Sequence, residues 1–255
     1  MVFNSIFFIF CFLPVFMLIY YLVPGKLRNL LLFLGSLIFY AWGEPVYVIL
    51  MLFSSIFNYY MGTELERLYY DDRKQKINLI FSIIINLAVL VFFKYYGFLL
   101  NTIGGIIGIH IPHPELSLPI GLSFYTFRNL SYLFDIYLSK VSAQRNFLAF
   151  AVYSTMFPYT SAGPIVRYTD IETQLKQRTI NISKFGIGAE LFVKGLAKKV
   201  LLADNLSVLY SSICGHPQMS VFTSWIGILA YTMQLYFDFS GYSDMAIGLG
   251  KMLGF

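Results

Sequence analysis

Long apolar runs separated by short polar gaps dominate the chain. The first run, residues 4–23, is almost wholly apolar and matches the roughly 20 residues that a helix needs to cross a bilayer. No Lys or Arg precedes it and no small-residue cleavage site follows it, so we expect a retained helix and not a signal peptide. Further apolar runs, several of them short or interrupted by Gly or Pro, cover residues 27–42, 46–61, 77–93, 98–109, 118–138, 147–166, 185–209, 221–237 and 245–255. The pattern predicts an all-α, polytopic membrane helical bundle with seven to nine spans, including broken or re-entrant and interfacial helices.

Composition excludes a soluble globule. The chain of 255 residues is 58% hydrophobic and only 12% charged, with a mean hydropathy of +0.68. A soluble domain carries about 25% charged residues. The excess of 18 Lys+Arg over 13 Asp+Glu falls in the gaps between apolar runs, where it orients membrane helices; it does not form the basic face of a nucleic-acid binder.

The gaps alternate in charge. Residues 25–29 and 63–76 are basic, whereas residues 43–45 contain no Lys or Arg. Because cytoplasmic loops are enriched in basic residues, we expect an external N-terminus and a cytoplasmic loop around Asp71.

Two apolar segments carry most of the intramembrane polar residues, which are functional-site candidates by default. Within residues 121–137, helical spacing places four of them on one face that must contact protein: Tyr125, Arg128, Tyr132 and Asp135. Arg128 and Asp135 lie about 10 Å apart along such a helix. This face either fixes helix packing through an ion pair between helices or contributes to a site.

The second polar segment covers residues 231–244. Tyr231, Gln234, Asp238 and Tyr242 share one helix face, and Ser240 and Asp244 share another. A helix that continues through Gly241 would therefore be polar on two sides, whereas a break there would gather the polar groups around one cavity. Asp238 lies one turn from Gln234 and Tyr242, and we expect it to bond to them or to a facing helix. The segment is either a structural network or a substrate contact.

A charged stripe also marks residues 190–205. Glu190, Lys194 and Lys198 recur every four residues, beside apolar neighbours. The stripe predicts either an interfacial helix with snorkelling lysines or the lining of a wet cavity.

Histidines and cysteines suggest no metal centre. His110 and His113 form an HxxH pair in a Pro-containing loop that lacks a third ligand, and His216 precedes Pro217 in another loop. Cys11 and Cys214 are too few and too far apart in sequence for a disulfide framework or a Cys-based metal site.

Five blocks together resemble the membrane-bound O-acyltransferase (MBOAT) family, especially its bacterial alginate O-acetyltransferase branch. The most specific block is YTMQLYFDFSGYSDMAIGLGKMLGF, residues 231–255; the others are residues 37–45, 118–138, 161–171 and 193–206. The resemblance implies a single transmembrane domain over residues 1–255 that is incomplete at its C-terminus. It also implies that the catalytic histidine lies in a block beyond Phe255, so we expect no catalytic residue within this chain and no activity from it alone.

The resemblance further implies transfer of an acyl group, usually acetyl, to hydroxyls of an extracytoplasmic polysaccharide such as alginate. The donor would be acetyl-CoA or an acyl carrier, with no bound cofactor and no metal. We expect a multi-pass protein of the bacterial inner membrane, with the lipid bilayer, the polysaccharide acceptor, the donor or carrier protein and periplasmic acetylation proteins as partners, and no nucleic acid. Six residues are candidates for the substrate path: Arg167, Gln234, Asp238, Ser240, Tyr242 and Asp244.

Three alternatives remain open at this point. The first is D-alanyl transfer to teichoic acid by the same kind of chemistry. The second is a transporter or flippase-like bundle, in which broken helices and intramembrane charges form a permeation site. The third is an inactive structural membrane subunit.

Overall fold

The computed structural model describes residues 3–108, 112, 117–161, 163–216 and 220–255, and regular structure in this part is entirely helical. The all-α prediction is confirmed. The α-helices of the described part are α1 Leu13–Leu22, α2 Arg28–Gly43, α3 Val48–Arg67, α4 Asp72–Ile107, α5 Leu122–Tyr137, α6 Phe147–Thr155, α7 Tyr168–Lys176, α8 Ile182–Ala197, α9 Asp204–Cys214 and α10 Val221–Met252. Short 3₁₀ turns occupy Gly25–Leu27 and Phe157–Tyr159, and wider π-helical turns occupy Phe8–Phe12 and Lys198–Ala203.

Among the described helices, α3 and α4 are long and apolar enough to cross a membrane. Large apolar side chains on them are exposed, including Ile49 at 73% and Ile106 at 81%. In a membrane protein such side chains face lipid. The number of spans remains a prediction.

Helix α4 corrects one boundary of the sequence analysis. We expected separate segments over residues 77–93 and 98–109, but one helix of 36 residues runs through both. Lys94 does not interrupt it, because its side chain lies on the exposed side of the helix, where its ammonium sits 5.5 Å from the ring centroid of Tyr95. The helix begins where Asp71 accepts a hydrogen bond from the Lys74 amide, and it ends at Gly108 in the left-handed conformation.

Contacts divide the chain into two compact units. The central unit comprises Lys26–Ser161 and Ile165–Leu175, and the terminal unit comprises Met1–Gly25, Ala162–Pro164 and Lys176–Phe255. The single-domain organisation remains a prediction.

The polar face of α5 lies in the core of the central unit. Its four predicted members are all buried, and Arg128 is 1% exposed. The Arg128 guanidinium donates to the carbonyls of Tyr153 (3.1 Å) and Tyr159, at the end of α6 and in the turn that follows. Arg128 therefore joins α5 to α6 through backbone carbonyls that a helix end leaves unpaired.

A second buried polar contact joins α3 to α4. The Asn58 amide donates to Asn86 Oδ1 at 3.1 Å, and the Asn86 amide donates back to Asn58 Oδ1 at 2.9 Å. Both residues are at most 5% exposed. Each amide therefore provides its partner with hydrogen bonds that lipid could not provide.

In the terminal unit, α10 is one continuous helix of 32 residues that passes through Gly241 without a break. For residues 231–244, the structure therefore has the continuous helix that is polar on two sides, and not the break at Gly241. It also corrects the separation of the apolar runs at residues 221–237 and 245–255. The end of α10 is held by α1, where the Tyr20 hydroxyl donates to the Leu253 carbonyl at 2.7 Å.

Candidate functional site: an ion-paired cluster on two interlocked helices

Helices α8 and α10 touch through their backbones. A Cβ added at Gly195 would lie 2.5 Å from the Gly241 carbonyl oxygen, and one added at Gly188 would lie 2.6 Å from the Gly248 carbonyl oxygen. In each pair both partners are glycine, seven residues apart along each helix. Small residues at these positions allow membrane helices to approach this closely.

Two consecutive lysines follow directly after α8, at the start of the π-helical turn. The Lys198 ammonium lies 2.6 Å from Asp244 Oδ2 and 3.1 Å from the Ser240 hydroxyl. The Lys199 ammonium lies 2.8 Å from Asp238 Oδ1 and 3.1 Å from Asp204 Oδ1. We call these six residues the lysine–aspartate cluster.

The π-helical turn explains how two adjacent residues both reach α10. In an α-helix successive side chains diverge by 100°, whereas the wider turn of a π-helix reduces this angle, and such turns are frequent at functional sites. The Gly195–Gly241 contact brings the same level of α10 close, since a Cβ at Gly241 would lie 3.1 Å from the Lys199 amide nitrogen. The cluster therefore depends on both features.

The charges of the cluster are partly shielded. The Lys199 and Asp244 side chains are each 23% exposed, and the Lys198 side chain is 36% exposed. Ionisable groups at membrane depth pair with one another and mark functional pathways. Each lysine here has at least one carboxylate within 3 Å, so the cluster holds charge in an apolar helix pair without leaving an ammonium unpaired.

An open groove of about 580 Å³ runs beside the cluster. Leu191, Leu201 and Leu202 form much of its wall, and its polar edge consists of Lys194, Lys198 and Asp244. The arrangement can hold a molecule that places a polar group at the ion pair and an apolar portion along the leucines.

The predicted path residues separate in the structure. Asp238, Ser240 and Asp244 come together in the cluster, whereas Tyr242 stacks on Phe3 with ring centroids 4.8 Å apart. Gln234 is partly buried, and its Oε1 has no hydrogen-bond partner in the described part of the chain. Arg167 belongs to the central unit, where its side chain is exposed and its amide donates to Asp170 at the start of α7.

The charged stripe also divides. Glu190 and Lys194 form an exposed pair at 2.6 Å, but Lys198 turns to α10. Sequence reasoning placed Lys198 on this stripe and missed Lys199 and Asp204. Two consecutive lysines within an apolar run were a usable signal, because a single α-helical face cannot accommodate both.

The histidines add nothing to the cluster as far as it is described. His216 is exposed just after α9, and His110 and His113 lie outside the described residues. The expected catalytic histidine beyond residue 255 stays a prediction.

Comparison with known proteins gives consistent relatives. The family model of the membrane-bound O-acyltransferases matches residues 46–255. The chain is 41% identical to the probable alginate O-acetylase AlgI of Pseudomonas aeruginosa, over 100% of this chain and 50% of that protein. It is 33% identical to a peptidoglycan O-acetyltransferase of Helicobacter pylori, over 98% of this chain and 54% of that protein.

A more distant relative is the teichoic acid D-alanyltransferase of Bacillus subtilis, at 26% identity over 57% of this chain and 38% of that protein. The chain thus spans about half the length of the curated relatives that it matches most fully. The match to the family model covers most of the chain, including every residue of the lysine–aspartate cluster. The chain belongs to the membrane-bound O-acyltransferase family.

Proposed function

We propose that this chain contributes to a membrane O-acyltransferase that acetylates hydroxyls of an extracytoplasmic polysaccharide. The observation that carries the proposal is the lysine–aspartate cluster, which joins two of the blocks that resemble the family. Its lysines and Asp204 lie in residues 193–206, and its other three members lie in residues 231–255, the most specific block. The relatives named for O-acetylation match nearly the whole chain, whereas the relative named for D-alanyl transfer matches 57% of it. We therefore favour acetyl over D-alanyl transfer.

The chemistry requires a base and an activated donor. The acceptor hydroxyl oxygen attacks the acyl carbonyl carbon, the hydroxyl proton passes to a general base, and the donor thiolate leaves as the ester forms. The base in this proposal is a histidine outside residues 1–255, and the donor is acetyl-CoA or an acyl carrier. A positioned base contributes about 10²- to 10⁴-fold to such a step.

The cluster has a positioning role in this proposal. Lys198 and Lys199 hold the side chains of Asp244 and Asp238 in place on α10. The groove beside them forms part of the substrate path. Gln234, Tyr242 and Arg167 remain proposed path residues. The setting is the bacterial inner membrane with several crossings, and periplasmic acetylation proteins are the expected partners.

The test uses a strain that lacks the gene, complemented with the complete reading frame. We expect Asp244→Asn and Lys198→Gln to reduce polysaccharide acetylation at least tenfold while membrane abundance stays near normal. The control is Glu64→Gln, which breaks an exposed pair with Arg67 on α3 and should leave both quantities unchanged.

A charge exchange makes the test specific to the pair. The double variant Lys198→Asp/Asp244→Lys restores the attraction across 2.6 Å and should recover abundance better than either single change. Normal acetylation in all cluster variants would contradict the proposed role of the cluster. Acetylation restored by residues 1–255 alone would contradict the assignment of the base to another part of the protein.

A further inference from the structure

A separate polar pocket lies in the central unit, at one end of the two candidate membrane spans. It has a volume of about 380 Å³ and is formed by the end of α3, the start of α4 and the turn after α5. Its polar lining comprises Glu66, Tyr69, Tyr70, Gln75, Ser139, Lys140 and Ser142. In the described part of the chain, α3 and α4 are long and apolar enough to span a bilayer. In a bilayer that they cross, their shared end would reach the depth of the lipid headgroups.

The turn that supplies one wall of the pocket contains an unusual residue. After α5, the Ser139 amide donates to the Ile136 carbonyl and the Lys140 amide donates to the Asp135 carbonyl, both at 2.9 Å. This pair of bonds is a Schellman motif, whose left-handed position is usually glycine. Here Ser139 occupies it with a φ of 56°. A non-glycine residue in this conformation at a pocket wall motivates the hypothesis that its hydroxyl contacts a ligand there.

The Ser139 wall carries hydrogen-bond donors that the described residues leave unused. The Lys140 ammonium lies 3.8 Å from Asp135 Oδ1, beyond hydrogen-bond distance, and its side chain is 52% exposed. The hydroxyls of Ser139 and Ser142 lie beside it in the pocket lining. An ammonium with adjacent hydroxyls is suited to phosphate oxygens.

The opposite wall carries a carboxylate and two aromatic rings. Glu66 is 28% exposed and pairs through Oε2 with Arg145, which leaves Oε1 available to a second donor. Tyr69 and Tyr70 contribute exposed rings in edge contact, 5.2 Å between centroids. A carboxylate next to aromatic rings is suited to an ammonium group.

We propose that this pocket binds the headgroup of phosphatidylethanolamine, with the phosphate at Lys140, Ser139 and Ser142 and the ammonium at Glu66. Glu66 is paired with Arg145, and Lys140 lies 3.8 Å from Asp135. The charges around the pocket therefore balance, which matches a zwitterion better than a purely anionic headgroup. The tyrosines fit this placement, since tyrosine is enriched at membrane interfaces.

The test is native mass spectrometry of the detergent-solubilised chain, titrated separately with phosphatidylethanolamine and phosphatidylglycerol. We expect phosphatidylethanolamine to be retained more strongly. Lys140→Gln should weaken its retention about tenfold, the effect of losing a hydrogen bond to a charged group. Glu66→Gln should reverse the preference in favour of phosphatidylglycerol. Lys94→Gln, at an exposed lysine elsewhere on α4, should change neither.

Ser139→Gly separates binding from folding. Glycine adopts the left-handed conformation without strain, so this variant should melt at the same or a higher temperature and yet retain less phosphatidylethanolamine. Equal retention of the two lipids by the wild type, or undiminished retention by Ser139→Gly, would overturn the proposal. Displacement of the lipid by millimolar inorganic phosphate would also overturn it, because the pocket would then be a site for free phosphate.

Discussion

In the terminal unit, α8 and α10 touch through glycine backbones, whereas buried polar side chains join the helices of the central unit. Gly195 and Gly241 leave no room for a side chain between the helices. Arg128 instead reaches carbonyls of a neighbouring helix, and Asn58 and Asn86 bond to each other. Lipid provides no hydrophobic drive for helix association, so both units rely on close packing or on hydrogen bonds.

The two kinds of helix contact differ in whether the polar groups beside them stay accessible. Backbone contact brings the lysines of the π-helical turn within 3 Å of carboxylates on α10, and these groups stay partly exposed beside a groove. In the central unit, the polar groups that join the helices, Arg128, Asn58 and Asn86, are buried and engaged in packing. The terminal unit thus keeps its ionic groups accessible, as a site requires.

The largest effect is expected where the backbones meet. In Gly195→Val, the new side chain would meet the Gly241 carbonyl and the Met245 amide, neither of which can move alone. We expect a loss of about 3 kcal/mol or more in the free energy of unfolding, at the upper end of overpacking effects. Denaturant unfolding in mixed micelles would measure it. Gly186→Val on the same helix is the matched control, because nothing lies within 4 Å of that position; equal losses at both sites would refute the close approach.

A slightly smaller effect is expected at Arg128. Arg128→Met keeps the apolar volume but leaves buried carbonyls in and after α6 without a donor, at about 1 to 3 kcal/mol for each unpaired group. The same unfolding assay should show a loss of about 2 to 3 kcal/mol, allowing for partial relaxation. Arg145→Met, at a side chain that is 74% exposed, should cost less than about 1 kcal/mol. If the two variants lose the same stability, Arg128 is not a packing element.

The asparagine pair should give a graded and reversible effect. Asn58→Leu leaves Asn86 Oδ1 and one hydrogen of the Asn86 amide without a partner, while the other hydrogen still bonds to the Ser82 carbonyl. The change should cost about 1 kcal/mol, in the range of polar contacts between membrane helices. The double variant Asn58→Leu/Asn86→Leu should recover most of that loss, because replacing both partners removes the unsatisfied group. A double variant that loses the sum of both single effects would contradict this.

The smallest effect concerns the start of α4. Hydrogen bonds from the Lys74 side chain and backbone amide lower the pKa of Asp71. A carboxylate whose pKa is lower in the folded state stabilises that state above its unfolded pKa, near 3.8, and this stabilisation is lost as pH falls through the lower folded pKa. Wild type should therefore lose slightly more stability than Asp71→Asn between pH 5 and pH 2. Parallel melting curves over that range would detect it, and identical pH profiles would count against the cap.

Pattern alone predicted much of the polar architecture. Spacing placed Tyr125, Arg128, Tyr132 and Asp135 on one protein-facing helix face, and all four are buried. It could not name the partners of Arg128, because the carbonyls lie about 25 to 31 residues away and only the end of α6 exposes them. In the candidate site, Asp238, Ser240 and Asp244 were predicted, but their lysine partners were not.

The sequence by itself determined the membrane class, the all-helical fold and the family, because apolar length, low charge and a specific block of residues are local properties of the chain. Only the tertiary structure decided that α10 runs unbroken through Gly241 and that Lys198 and Lys199 both reach it. A glycine in a helix can mark a break or a close contact, and the neighbouring helix determines which. Here α8 lies against Gly241, so the helix continues and the charges meet across the contact.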